Sequence, residues 1–341
     1  MMVKEALLYE KLPGRRVRCH ICQRGCVIED DQEGYCKTRR NRGGRLYSFI
    51  YGEASTWRRA PIEIKPVYHY LPGSFAFSLG SVGCNFLCPG CQNWEISFAR
   101  EGKMALQTEY IAPENAVNMA RELHCQGISW TYNEPALWLE YILDTARLAK
   151  LEGLYTNIVT NGSLSLEALD TLGPYLDVYR LDIKGFSQEA YRKIAHFSAW
   201  EGILTVASRA KHHWKMHVEV VTNVIPGYND DLEQLGRLAA WIKAELGAET
   251  PWHITRFSPR WHLSHLRSTP VRTLERARQK AVSEGLEFVY LGNVRDHLAR
   301  HTYCPGCGKR VIERNEWEQV VCDLRSGRCP ECGTRIAGRF A

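Results

Sequence analysis

From about residue 75 onward the chain alternates two patterns. Short apolar runs that end in polar residues alternate with longer stretches whose apolar positions recur every three or four residues. "FAFSLGS" reads as a strand, and "APENAVNMARELH" as a helix with Pro113 suited to its first turn. "GISWTY" is a strand. "PALWLEYILDTARLAKLEG" is a helix with Leu137, Tyr141 and Leu148 on one stripe and Gly153 as its stop. "YTNIVTNG" and "YLDVYRLDIKG" read as strands around the short helix "SLEALDTLG". "SQEAYRKIA" opens a helical stretch that runs, with a break, to about Ser208. "MHVEVVTNVIPG", "PWHITRF" and "LEFVYLG" are strands, separated by the helices "DDLEQLGRLAAWIKAELG" and "TLERARQKAVSEG". Roughly six or seven βα units result, which predicts an α/β fold with a parallel sheet covered by helices. Periodicity leaves open whether the sheet is doubly wound or barrel-like. In both, the C-terminal ends of the strands converge on the active site. The distinctive polar stretches fall there: the "GCNFLCPGC" loop, "TYNEP", "TNG", "LDIK", "NVIPGYND" and "HITRFSP".

Composition adds the compartment and the metals. With 341 residues, 45 % hydrophobic and 24 % charged, the chain has room for a sizeable core and more than one domain. No run of about 18 uncharged apolar residues occurs, which argues against a membrane span. "MMVKEALLYEKLPGRR" is charged through its only apolar stretch and is not a secretory signal, so a cytoplasmic protein is expected. In that reducing compartment the thirteen cysteines are expected to ligate metals rather than form disulfides. They fall into three groups: Cys19, Cys22, Cys26 and Cys36; Cys84, Cys88 and Cys91; Cys304, Cys307, Cys329 and Cys332. Cys125 reads as a small buried thiol, and Cys322 as a bystander within the third group's span.

The net charge of +6 is concentrated at the ends. Arg15 to Arg45 holds nine Lys or Arg against four Asp or Glu, and Arg300 to Ala341 eight against five. These positive residues either offset thiolate charge or form a polyanion surface for RNA.

The middle group stops at three ligands. An iron–sulfur cube is normally held by four Cys, so three leave one iron open to a substrate or cofactor. Zinc would want a fourth nitrogen or sulfur ligand, and the nearest histidines, His69 and His124, lie on other segments. The third group has two Cys-Pro-x-Cys-Gly knuckles about twenty residues apart, the pattern of a zinc ribbon. The first group, Cys-x2-Cys-x3-Cys-x9-Cys, could hold zinc or an auxiliary iron–sulfur cluster.

Cys-x3-Cys-x2-Cys after the first strand of a βα series resembles the radical S-adenosylmethionine superfamily. The resemblance implies a partial (β/α)6-type barrel and a [4Fe–4S] cluster on Cys84, Cys88 and Cys91, whose open iron chelates S-adenosylmethionine. It further implies reductive cleavage to a 5′-deoxyadenosyl radical that abstracts hydrogen from a substrate, with an electron donor as partner. In order along the chain it implies cofactor contacts from Asn133 and Glu134 in "TYNEP", Asn161 in "TNG", Asp182 and Lys184 in "LDIK", and Ile225 and Gly227 in "VIPGYND". Two departures stand out: Gly90 replaces a frequent aromatic before the third cysteine, and Tyr132–Asn133 replace paired glycines. The whole chain is similar to the radical component of the AmmeMemoRadiSam system, a branch related to pyruvate formate-lyase activating enzymes. That implies a Cys-rich segment over 1–60, a radical core over 61–298, a zinc ribbon over 299–341 and an AmmeMemo-type partner protein. A glycyl-radical-enzyme activase, an RNA-modifying enzyme and a non-catalytic metal-bound interaction module are the alternatives.

Overall fold

The computed structural model describes residues 3–98, 107–316 and 319–340. An eight-stranded sheet forms its centre. Its strands are β1 (Thr56–Pro61), β2 (Phe75–Gly80), β3 (Gly127–Trp130), β4 (Tyr155–Thr160), β5 (Val178–Asp182), β6 (His217–Val224), β7 (Trp252–Arg256) and β8 (Val289–Gly292). β2 to β8 run parallel, each beside the next in the chain. β1 pairs antiparallel with β2 at one edge. A doubly wound sheet reverses its strand order at a switch point. Here the order follows the chain without reversal, so all crossovers wind in one sense, and the edge strands β1 and β8 do not pair. β4 is buried at every position, as expected of a parallel strand covered on both faces.

The helices are α1 (Trp94–Ser97), α2 (Pro113–Glu122), α3 (Leu139–Leu151), α4 (Leu166–Leu172), α5 (Gln188–Ala195), α6 (Trp200–His212), α7 (Leu232–Trp241) and α8 (Val271–Ser283). Pro113 begins α2. Ser165, Ser187 and Asp231 cap α4, α5 and α7 by accepting from the amides of Ala168, Ala190 and Gln234. Such caps contribute about 1 kcal/mol each. The expected stripe packs inward, with Leu137 and Tyr141 fully buried, although Leu137 lies in a 3-10 turn (Pro135–Trp138) ahead of α3. Some boundaries move. The helix expected to stop near Ser208 reaches His212. "LEFVYLG" is a strand only from Val289. The α7 pattern ends in a π-turn over Ile242–Leu246. β1 escapes the sequence reading because "TWRRAP" exposes three of its six side chains and shows no apolar period.

The terminal segments pack on this frame. The N-terminal residues form two three-stranded antiparallel sheets. Their buried side chains Val17, Ile21, Ile28 and Leu46 belong to the same core cluster as β2, β3 and α3. Buried Arg39 clamps them to α3 through a bidentate pair with Glu140, at 2.7 and 2.9 Å. The expected boundary at residue 60 falls inside β1. The C-terminal hairpin (Arg310–Glu316 with Gln319–Cys322) packs on Tyr68, Phe288 and Tyr290. Beneath it, the buried Glu219 carboxylate accepts from the amides of Tyr68 and His69 and from the rings of His217 and His253. Despite the opposing effect of burial, these donors hold Glu219 well below the usual carboxylate range. Among the described residues no helix is long and apolar enough to cross a membrane.

Candidate active site at the strand ends

The three-cysteine loop leaves β2 and is braced from several directions. The Gly83 amide donates to Ile96 of α1, and the Leu87 amide donates to Ala195 at the end of α5. Arg24 donates to the Asn85 carbonyl at 2.7 Å. Asn133 uses its whole side-chain amide here. It accepts from the Ser81 amide at 3.0 Å and donates to the Gly83 carbonyl at 2.9 Å.

All three thiols are partly covered. Burial pushes the Cys88 thiol up to about 12, against the pull of Lys184, and raises Cys84 well above the ordinary thiol range. Ionising buried thiols is costly unless a cation compensates, which is what a metal centre supplies. Two polar groups already face the loop: the Phe86 amide donates to Cys84 Sγ at 3.4 Å, and Asn161 Nδ2 lies 3.9 Å from it. Among the described residues no three acidic, His or Cys ligand atoms of this loop lie mutually within 4.8 Å. That is wider than the thiolates around one tetrahedral ion, which stand about 3.8 Å apart, and it fits a cluster. His69 is held by Ala337 and Tyr290, away from the loop.

The two departures in the motifs have structural reasons. A Cβ on Gly90 would lie 3.0 Å from Phe257 and 3.1 Å from Leu263. Phe257, in "HITRFSP", is buried and fills the space next to the third cysteine. Tyr132 holds φ +78°, a left-handed backbone that favours glycine and strains a bulky residue by about 1–3 kcal/mol. The glycine-like turn therefore survives the replacement. The Tyr132 hydroxyl accepts from Arg58 at 3.0 Å.

Glu134 is buried and accepts from Thr160 Oγ1 at 2.6 Å, the Asn161 amide at 2.8 Å and the Ala136 amide at 3.0 Å. A carboxylate has about four acceptor positions, so roughly one is left for a ligand ammonium. Asn161 is more committed: it accepts from Ser163 and donates to Asn85. Asp182 pairs with Arg180 at 2.7 Å and Lys184 at 3.0 Å. Burial opposes ionisation of Asp182, but the two cations outweigh it and bring the carboxyl to about 2. Lys184 also faces Cys88, so its charge reaches the cluster loop. Ile225 packs with Phe257, Leu263 and Cys88. Gly227, at φ +77°, sits in a turn held by Asn229, which accepts from the Ile225 amide and donates to the Lys184 carbonyl.

Sequence reasoning missed two residues. Asn85 links the loop to Asn161 and Ser163. Only its position beside Cys84 could have flagged it. Lys65, 3 % exposed, lies with its ammonium 4.9 Å from the Tyr132 ring centre. Burial first, then Arg58 and Arg180, lower it to about 7.

The terminal cysteine groups differ. Cys304, Cys307, Cys329 and Cys332 bring all four sulfurs within 4.8 Å of one another. Cys304–Cys332 stand 3.5 Å apart and Cys307–Cys329 3.6 Å, a spacing suited to one tetrahedral ion. Gly308 and Gly333, at φ +75° and +72°, close two matched knuckles by donating to Cys304 and Cys329. Cys322 is exposed and outside this set, and Cys125 is buried. Cys19, Cys22, Cys26 and Cys36 instead line one small cavity of about 20 Å³.

Comparison with known proteins accords with this geometry. Residues 79–239 match the model of the Radical SAM superfamily. The chain is 38 % identical over 336 residues to the uncharacterized protein MJ0808 of Methanocaldococcus jannaschii, covering 98 % of this chain and 99 % of that one. It is 25 % identical over 167 residues to the pyruvate formate-lyase 1-activating enzyme of Escherichia coli, covering 47 % of this chain and 65 % of that enzyme. A domain of pyruvate-formate lyase-activating enzyme from Bacteroides vulgatus superposes with a TM-score of 0.41 at 15 % identity, over 49 % of this chain and 99 % of that one. The chain belongs to one family with MJ0808, and its 79–239 segment, with three thiols on a strand-end loop, is a radical SAM domain.

Proposed function

We propose that Cys84, Cys88 and Cys91 hold a [4Fe–4S] cluster whose fourth iron is reserved for S-adenosylmethionine, and that the sheet serves as a partial (β/α)6-type barrel around a substrate not yet identified. The observation that carries this reading is the thiol loop itself, buried, spaced wider than a single-ion site and faced by Glu134 and Lys184. When bound and reduced, the cluster supplies reductive cleavage of S-adenosylmethionine to a 5′-deoxyadenosyl radical that takes hydrogen from the substrate. The chain's own part is positional. Glu134 offers its remaining acceptor position to the methionine ammonium. Asn133 and Asn161 hold the loop and the Glu134 turn, while Asp182 and Lys184 set the charge beside Cys88. The Ile225–Gly227 turn presents an apolar face suited to adenine.

In the same reading the C-terminal quartet binds zinc, and the donor is a low-potential one-electron carrier. The long motifs support membership of the AmmeMemoRadiSam branch, with an AmmeMemo-type partner and a cytoplasmic setting. Anaerobically reconstituted protein with dithionite and S-adenosylmethionine should release 5′-deoxyadenosine, and a Cys88→Ala variant should not. Absence of the nucleoside from the wild type sinks the proposal. A glycyl-radical-enzyme activase is the second reading, supported by the 25 % identity to the Escherichia coli activating enzyme. It requires a glycyl radical signal by electron paramagnetic resonance when a protein partner is added.

A further inference from the structure

We infer that the N-terminal quartet, Cys19, Cys22, Cys26 and Cys36, is a second iron–sulfur site, closed by four thiolates and built against the radical loop. Three observations carry this. First, the spacing: no three of these thiols lie mutually within 4.8 Å, whereas the C-terminal four all do. One chain thus presents two four-cysteine sets of different size. A single tetrahedral zinc draws its thiolates to about 3.8 Å. A cluster keeps them farther apart, because iron and sulfide stand between them.

Second, the four cysteines face one shared cavity, which Arg39 and Asn85 also line beside the apolar Ile21, Ile28 and Leu137. An inorganic cluster adds sulfide contacts that such an apolar wall and one guanidinium can accept. Arg39 is held in place by Glu140, and its charge reaches Cys19 and Cys36.

Third, the quartet is built onto the radical loop. Cys22 forms a β-bridge with Leu164, just beyond "TNG". A Cβ on Gly83, the residue before Cys84, would collide with Thr38 and lie 3.1 Å from the Cys36 carbonyl oxygen. Asn85 interacts with Cys22 through its side chain and accepts from Asn161, which reaches Cys84. Cys22, Asn85, Asn161 and Cys84 therefore form one polar chain between the two thiol sites. Four protein ligands leave no iron open, so this second cluster does not bind S-adenosylmethionine.

The inference does not depend on the radical chemistry proposed above, and its test separates the two. A full-length Cys84→Ala/Cys88→Ala/Cys91→Ala variant, reconstituted anaerobically with iron and sulfide, is assayed for iron, acid-labile sulfide and zinc. The expected result is about two or four irons with matching sulfide per chain and about one zinc. Its reduced resonance signal should be unmoved by S-adenosylmethionine. In the complementary Cys22→Ser/Cys26→Ser variant, iron should fall to about half to two-thirds of the wild-type value while the signal that responds to S-adenosylmethionine is retained. About two zinc ions and no sulfide in the triple variant would overturn the inference. So would an unchanged iron content in the Cys22/Cys26 variant. Circular dichroism of both variants verifies that iron is lost from folded protein.

Discussion

Lys65 offers a sharp test of the buried interior beside Tyr132. It is 3 % exposed, and its pKa lies near 7 rather than the ordinary 10.5 because it is buried and close to Arg58 and Arg180. The gap corresponds to about 5 kcal/mol at 1.36 kcal/mol per pKa unit. For a basic group held low in the folded state, the unfolded chain binds the extra proton between the two values. Below about pH 7 both states are charged, and folding bears the whole cost. Between pH 7 and 10.5 the cost falls by about 1.4 kcal/mol per pH unit, and above 10.5 it is gone. Lys65→Met keeps the length and flexibility of the side chain and removes the charge. With an unfolding entropy of about 2 cal/mol/K per residue, a chain this long gains about 7 °C in melting temperature at pH 6.5. At pH 9 about 2 kcal/mol remains, so the gain shrinks to about 3 °C. Scanning calorimetry of both proteins at the two pH values measures the difference. A gain that is the same at pH 6.5 and 9, or a loss at pH 6.5, refutes the assignment of an uncompensated buried ammonium.

Other predictions follow from the same contacts. Asn133→Ala should leave the Ser81 amide and Gly83 carbonyl unpaired, at a cost of about 1–3 kcal/mol each. Iron retained through a desalting column should fall severalfold while circular dichroism stays unchanged. Glu140→Gln should strand the Arg39 charge and cost about 3–5 kcal/mol, lowering the melting temperature by about 4–7 °C. Replacing both partners, as Arg39→Met/Glu140→Leu, should cost much less. Cys329→Ser should release the metal of the C-terminal quartet, zinc in the reading proposed above, to a chromophoric chelator and expose the C-terminal hairpin to limited proteolysis, with the main melting transition retained.

The order of the βα units and the strand-end motifs were legible because parallel buried strands and amphipathic helices each impose a period on the chain. The Cys loop was legible because its chemistry requires three thiolates at short spacing. What escaped has a different cause. β1 is an edge strand in which the consecutive Trp57, Arg58 and Arg59 are all exposed, so no period marks it. Winding sense is a property of strand order, which periodicity does not encode. Asn133 and Asn161 are expected beside the cofactor, Asn133 through the backbone near it. That their side chains also hold the loop and its neighbours was not legible, because a sequence does not reveal which hydrogen bonds a side chain makes.

The basic N-terminus shows how this matters. As a charge count it reads first as compensation for thiolates and second as an RNA surface. In the fold, Arg39 is buried against Glu140, and Arg24 donates to the Asn85 and His196 carbonyls. Arg42 lies over Phe49. The Arg39 and Arg24 charges are thus committed to contacts within the chain, where they join the N-terminal sheets to α3 and to the loop. The loop is short and contains glycines at positions 83 and 90, so by itself it has little to fix its shape. It is the N-terminal module, through Arg24, Thr38 and Cys36, that closes one side of it, while Asn133 closes the other. The N-terminal sheets are therefore part of the frame of the thiol loop, and the core from β2 onward does not close that loop alone.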